Sequence, residues 1–417
     1  MSAWPFVIGF AAMFAVWAGV SSFVVVNRML YDRRERRLTS IARALADPAL
    51  ASFAPIDRAP AIRGILSRMS RRAVYRMVAS TVLPVSITEA CAAYAIERWG
   101  LPQMVLDAQG QRGRRKWRRI SALFALGHIR AAGSHDLLAL ALVDPDADVA
   151  GAAAVILHRL GDERAAGILV SALRGGTLPP SRIATHLDQY PLPIDALLRP
   201  LLSEPKSGTR YWAASLLSRY PYAEGVAGEI AVLVNDVDPQ VRKAALATLG
   251  TMRSAEVIAD VQRAVHDPVA YVRSTAIRSL TQYGMLESDT SQRERFAAVI
   301  APSLADAVWE VRLAAKECLV DLGPVTWREA AAQLKSVDSF ARNGAAEVLQ
   351  NLGLLDRAIA AMESGTEPDA ALLDMVARAL HEGGQPMVDA AGARSSPRAS
   401  ATIEALLSSL RVAEAAP

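Results

Sequence analysis

From residue 87 onward, apolar residues recur at helical spacing and the helices themselves recur. A segment of the form Asp-x-x-x-x-Val-Arg-x-x-Ala, followed by Leu, stands at 236–250 (DVDPQVRKAALATLG), 267–280 (DPVAYVRSTAIRSL) and 306–319 (DAVWEVRLAAKECL). Weaker copies lie at 144–157, 204–217 and 341–349. Aligned on the Val position, the copies fall on Ile87, Arg118, Val149, Ser181, Thr209, Val241, Val272, Val311, Ala341 and Leu372, at intervals of 31, 31, 32, 28, 32, 31, 39, 30 and 31 residues. A period near 31 with two helices per unit is the pattern of an α-solenoid. The expected fold is therefore all-α, an array of about ten helical hairpins over 87–383. Because one hairpin cannot bury its own apolar stripe, such an array folds only by stacking.

Within a unit each residue type has a physical task. Asp-Pro at Asp144-Pro145, Asp238-Pro239 and Asp267-Pro268 suits a helix start, where an acidic cap is favoured and a missing N–H costs nothing. Paired alanines such as Ala244-Ala245 and Ala314-Ala315 let helices approach closely. Gly127, Gly161, Gly250 and Gly323 are expected to end helices in left-handed caps.

The N-terminal end has a different pattern. Residues 3–26 carry no charge, and as a helix they would reach ~36 Å, enough to cross a ~30 Å hydrocarbon core. Arg28, Arg33, Arg34, Arg36 and Arg37 follow directly. The run is longer than a signal-peptide core and lacks a basic residue ahead of it. The expectation is thus a single-pass anchor with the N-terminus outside and the array in the cytoplasm. The segments are then 3–26 anchor, 28–86 basic juxtamembrane helical segment, 87–383 array, and 384–417 linker with a C-terminal helix.

Composition narrows the class. The 417 residues are 52% hydrophobic and 21% charged, too apolar for a disordered chain and too charged for a multi-span transporter. Cys91 and Cys318 are too few and too far apart for a disulfide scaffold or a zinc spacing. The net charge of +4 hides a split of +12 over 28–119 against −8 over 120–417. In the basic part, 61–80 reads as one amphipathic helix with Arg63, Arg68, Arg71, Arg72 and Arg76 around Ile62, Leu66 and Met77. It suits an anionic lipid surface or the capping of the first repeat. A second cluster, Arg112, Arg114, Arg115, Lys116, Arg118 and Arg119 around Trp117, suits lipid headgroups or an acidic patch on a partner. Nucleic acid is a third choice, disfavoured by the acidic distal array.

The repeat resembles the HEAT repeats, and more narrowly the short HEAT-like repeats named after phycobilisome lyases. The resemblance implies a structural ladder of Asp and Arg six residues apart, here Asp236 with Arg242, Asp267 with Arg273 and Asp306 with Arg312, plus Glu204 with Arg210. It also implies membrane-anchored relatives associated with enzyme complexes such as polysaccharide glycosyltransferases, and it carries no lyase activity over by itself.

No catalytic, metal or cofactor constellation is visible. The six histidines are scattered, and no phosphate loop or nucleophile elbow is present. The reading is a non-catalytic scaffold or regulatory subunit that binds another protein; a lyase-like enzyme factor is the alternative. The first choice for a partner surface is the aromatic group Tyr190, Tyr211, Trp212, Tyr220 and Tyr222, in a proline-broken stretch of a chain otherwise poor in aromatics. The same rings would equally fill a wider gap between units. The 39-residue interval predicts an exposed polar insertion at 284–293.

Overall fold

A computed structural model describes residues 55–78, 83–109, 116–130, 133–223, 225–286, 290–363 and 371–382 as continuous segments, with 39–45 and scattered single residues toward both ends. Among the described residues there is helix and no strand. The chain divides into two units, 1–192 and 193–417.

The first unit holds α1 (Pro55–Leu66), α2 (Arg71–Val78), α3 (Val85–Gln109), α4 (Lys116–Ile129), α5 (Ser134–Leu142), α6 (Ala147–Leu160), α7 (Glu163–Ala172) and α8 (Pro180–Asp188). Gly100, at φ 72°, ψ 150°, breaks α3 into two helices. The expected single helix over 61–80 is likewise two. Ser70 interrupts it, its hydroxyl accepting from the Ala73 amide and its carbonyl from those of Ala73 and Val74 in the first turn of α2. Its apolar residues are used up in packing: Ile62, Leu66, Val74, Tyr75, Met77 and Val78 are buried, with α2 against α3 and α4.

The second unit alternates long and short helices. The long ones, α10 (Ser207–Leu217), α12 (Pro239–Met252), α14 (Ala270–Leu286), α16 (Trp309–Leu322) and α18 (Ser339–Asn351), stack each on the next. Between them run α11 (Val226–Val232), α13 (Ile258–Arg263), α15 (Thr290–Ile300) and α17 (Trp327–Gln333), with α9 (Asp195–Leu198) before and α19 (Leu354–Glu363) after. Four of the short helices, α9, α11, α13 and α15, tighten into a 3-10 turn that delivers the chain to Glu204, Asp236, Asp267 or Asp306.

The repeat positions explain the stacking. Val241, Val272, Val311 and Ala341 are fully buried, as are Leu249, Leu280, Leu319 and Leu349 eight residues later. A small hydroxyl then ties long helices together: Thr248 donates to the Ala214 carbonyl (2.9 Å) and Ser279 to that of Leu246 (2.8 Å). At Ser181 the pattern shifts, since Ser181 is exposed and burial falls on Ile183, Ala184 and Leu187.

The glycines differ from expectation in an informative way. Gly161 does cap α6 in the left-handed conformation. Gly127 and Gly250 lie inside helices, and the left-handed caps there fall to Arg130 and Arg253. Gly250 is needed for approach, because a Cβ would stand 2.9 Å from Ser279 Cβ and 2.8 Å from Gln282 Oε1. The expected insertion at 284–293 is not a loop at its start: α14 continues through Gly284 to Leu286, where Gly284 is buried against Leu322.

The expected anchor over 3–26 lies outside the described residues, apart from Trp17 and Val26. Among the described residues no helix is long and apolar enough to cross a membrane. The single-pass placement with a cytoplasmic array is therefore withdrawn, and with it the membrane enzyme complex. The array inference itself rests on periodicity and is untouched by this.

Gly250→Val is expected to cost about 2 kcal/mol through overpacking at Ser279, partly offset by helix propensity. Urea unfolding followed by circular dichroism checks it.

Candidate interaction surface

The turns ahead of the long helices carry the most ordered polar geometry of the second unit. Each ladder arginine sits in the first turns of its helix and spends its guanidinium twice. Arg242 donates from Nη1 to the carbonyls of Asp236 (2.9 Å) and Val237, six and five residues back. Its Nε and Nη2 fork onto the Asp267 carboxylate of the following unit at 2.7 and 2.8 Å. Arg210 treats Asp236 in the same way, and Arg273 treats Asp306. Each Asp also accepts the amide two residues on, at Asp238, Val269 and Val308. The residues six apart thus meet through the backbone, and the carboxylate belongs to the arginine of the preceding unit.

These pairs are nearly dry, the Arg242 and Asp267 side chains being 12% and 8% exposed. Burial pushes the carboxyls of Asp236 and Asp306 up, but the arginine fork, the amide and the second arginine outweigh it. Both end below the usual carboxylate range. In the first unit, Arg119 is buried, donates to the Ala108 carbonyl and pairs with Asp144.

Arg312 departs from the rule. Its Nη1 holds the Asp306 and Ala307 carbonyls at 2.8 and 3.1 Å. The next unit has Ser336 where Asp would stand, and the guanidinium lies over the Phe340 ring, 4.2 Å from its centroid. Around this turn edge large apolar side chains face outward: Val237 (90% exposed), Trp309 (61%), Val337 (100%) and Phe340 (56%). They fall one, three or four residues after a ladder position, where small, polar or proline residues stand in other units, Tyr271 excepted. That substitution was the sequence signal, and the hydrophobic periodicity concealed it.

The sequence-predicted aromatics do not form one surface. Tyr190, in the first unit, is buried; it donates to the Asp162 carbonyl (2.7 Å) and packs edge-on to His158, and burial pushes its hydroxyl up to about 12. It cannot serve a partner because its ring and hydroxyl are both committed. In the second unit Tyr211 and Trp212 pack edge to face, half-buried, and Tyr220 accepts from the Ile194 amide. Tyr222 is fully open.

Of the basic residues, Arg112, Arg114 and Arg115 lie outside the described residues. Lys116 pairs with Asp146 and Asp148, Arg63 with Glu97 and Arg71 with the buried Asp107. Arg72, Arg76 and Arg118 are half-buried, and Arg68 is exposed. Arg119 is removed from the surface set by its burial and by Asp144. Cys91 and Cys318 are buried, their thiols raised to about 12 and about 11 by desolvation, which keeps them protonated. An open groove of about 660 Å³ beside α11, lined by Ala196, Pro200, Leu202 and Val232, is spanned by the Arg199–Glu229 pair.

Residues 226–320 match the family model described as HEAT repeats. No curated protein matches the sequence. Among solved structures, Kap121p bound to Nup53p is similar at a TM-score of 0.50 and 13% identity, over 85% of this chain and 44% of that one. The Kap95:Nup1 complex gives 0.49 and 12%, over 80% and 55%. An engineered protein gives 0.31 and 18%, over 46% and 96%. The chain spans about half the length of the Kap chains it resembles. At such identities the likeness shows fold alone, an all-helical array resembling α-solenoids. The narrower likeness to phycobilisome-lyase repeats is not among these findings.

A depressed carboxyl adds stability that is present above its unfolded value, about 3.9, and is lost as pH falls through the lower folded value. Thermal midpoints of the chain should therefore hold steady down to about pH 5 and drop steeply below about pH 4. Asp236→Asn and Asp306→Asn should each cost about 1–3 kcal/mol at neutral pH and flatten that acid limb. Calorimetry across pH checks both.

Proposed function

We propose that the chain is a non-catalytic scaffold or regulatory subunit whose array, over 87–383, binds another protein along the turn edge of its second unit. The observation that carries this reading is the outward row of Val237, Trp309, Val337 and Phe340. Large apolar and aromatic groups left in water on several of these turns are what a partner would bury, and aromatics dominate binding energy where they do so. Apart from Arg312, the ladder arginines and carboxylates of this edge are already paired, so docking beside them need not strand buried charges. Support also comes from the fold: Kap121p bound to Nup53p is an array of this kind holding a protein partner. Tyr222, open on a turn of the same unit, is a second point of contact.

A photo-crosslinking side chain placed at Val337 is expected to capture a discrete protein in cells, and one placed at the exposed Lys243 on the α12 face is not. Trp309→Ser combined with Val337→Asp should keep the thermal midpoint and weaken capture by at least about tenfold. Equal capture from both positions, or capture indifferent to the double variant, would overturn the reading.

A further inference from the structure

We infer that Arg312 is an open rung of the ladder, a preorganised receptor for a carboxylate supplied by the partner. This rests on the scaffold reading above and names the chemistry of its docking site. Five arginines of the second unit are held by the same pair of backbone bonds. Nη1 reaches carbonyls six and five residues back in Arg210, Arg242, Arg273, Arg312 and Arg342. That grip presents the Nε–Nη2 edge toward the next unit. Arg210, Arg242 and Arg273 meet Asp there, and Arg342 meets Glu382. At the register where those acids stand, Arg312 has Ser336, whose side chain is too short to bridge, and among the described residues no group accepts from its Nε or Nη2.

Phe340 does not replace the missing carboxylate. A ring binds a guanidinium through its flat face, whereas the N–H donors point outward in the plane. Stacking at 4.2 Å therefore orients Arg312 and leaves its donor edge unused. An aromatic at this place is also compatible with a filled rung, since Arg242 holds Asp267 with Tyr271 close by. The flat fork suits a bidentate carboxylate, and three copies of that pairing in the same unit set its geometry. The neighbours Trp309 and Val337 are exposed and apolar. The fitting occupant is an extended segment of a partner protein with an Asp or Glu beside apolar side chains, the acid closing the rung and its neighbours covering Trp309 and Val337.

The probe is a fluorescein-labelled peptide copying residues 265–274 (VHDPVAYVRS), the turn that delivers Asp267 to Arg242, and a second peptide with Asn in place of that Asp. Anisotropy with the full chain should show saturable binding of the Asp peptide and at least about tenfold weaker binding of the Asn peptide. Ser336→Asp, which would fill the rung from within, should weaken the Asp peptide at least about tenfold while raising the thermal midpoint, a readout that also shows the variant folded. Arg312→Gln should match the loss of binding without the gain in stability. Equal binding of the two peptides, undiminished binding by Ser336→Asp, or no binding of the Asp peptide at millimolar concentration would each overturn the open rung. If crosslinking from Val337 still captures a protein in that event, the scaffold reading stands and only the carboxylate site falls.

Discussion

The arginine fork that joins one repeat to the next is the interaction on which the second unit depends. Hydrophobic burial between long helices is large but undirected, since Val, Leu and Ala at similar positions would pack in several rotations. Arg210, Arg242 and Arg273 remove that freedom. Each grips its own turn by two carbonyls and the following turn by a bidentate carboxylate, and the carboxylate in turn shapes its own turn through the amide two residues on. Rotation or slip of one hairpin would break the fork and leave a charge in a nearly dry place, which costs far more than an exposed pair is worth.

Because the ladder uses nearly all its donors internally, what remains at the turn edge is apolar. Val237, Trp309, Val337 and Phe340 stand outside a polar framework that is otherwise closed. The exception is where the framework itself lapses, at Arg312 and Ser336, and the exposed rings gather around that place. A lapse in a structural repeat and a cluster of solvent-facing apolar groups are separate observations, and their coincidence gives the surface its chemical character.

Much of the architecture was legible in the chain because the repeat acts locally. The buried Val, Ala and Leu positions follow from spacing that hydrophobic burial enforces at every turn, and Asp238 heads its helix as its Asp-Pro pair predicts. Other features turn on contacts between units, which spacing cannot display. Gly250 looks like a helix end in sequence, yet it is a close-packing site because Ser279 lies across from it. The Asp of Asp144-Pro145 and of Asp267-Pro268 stands two residues or more ahead of its helix and serves an arginine of the previous unit. Tyr190 was the wrong kind of aromatic for a surface: only the fold reveals that its hydroxyl has the Asp162 carbonyl to satisfy. Trp309 and Phe340 were passed over for the opposite reason, since an aromatic in the first turn of a helix fits an apolar stripe equally well on paper.

The claim that the fork couples neighbouring hairpins is most directly tested by a double-mutant cycle on Arg242→Ala and Asp267→Ala, read by equilibrium urea unfolding of the full chain. The account predicts an interaction energy of roughly 1.5–3 kcal/mol between the two sites. Single effects that simply add, with coupling below about 0.5 kcal/mol, would show that packing alone sets the stack and would contradict it.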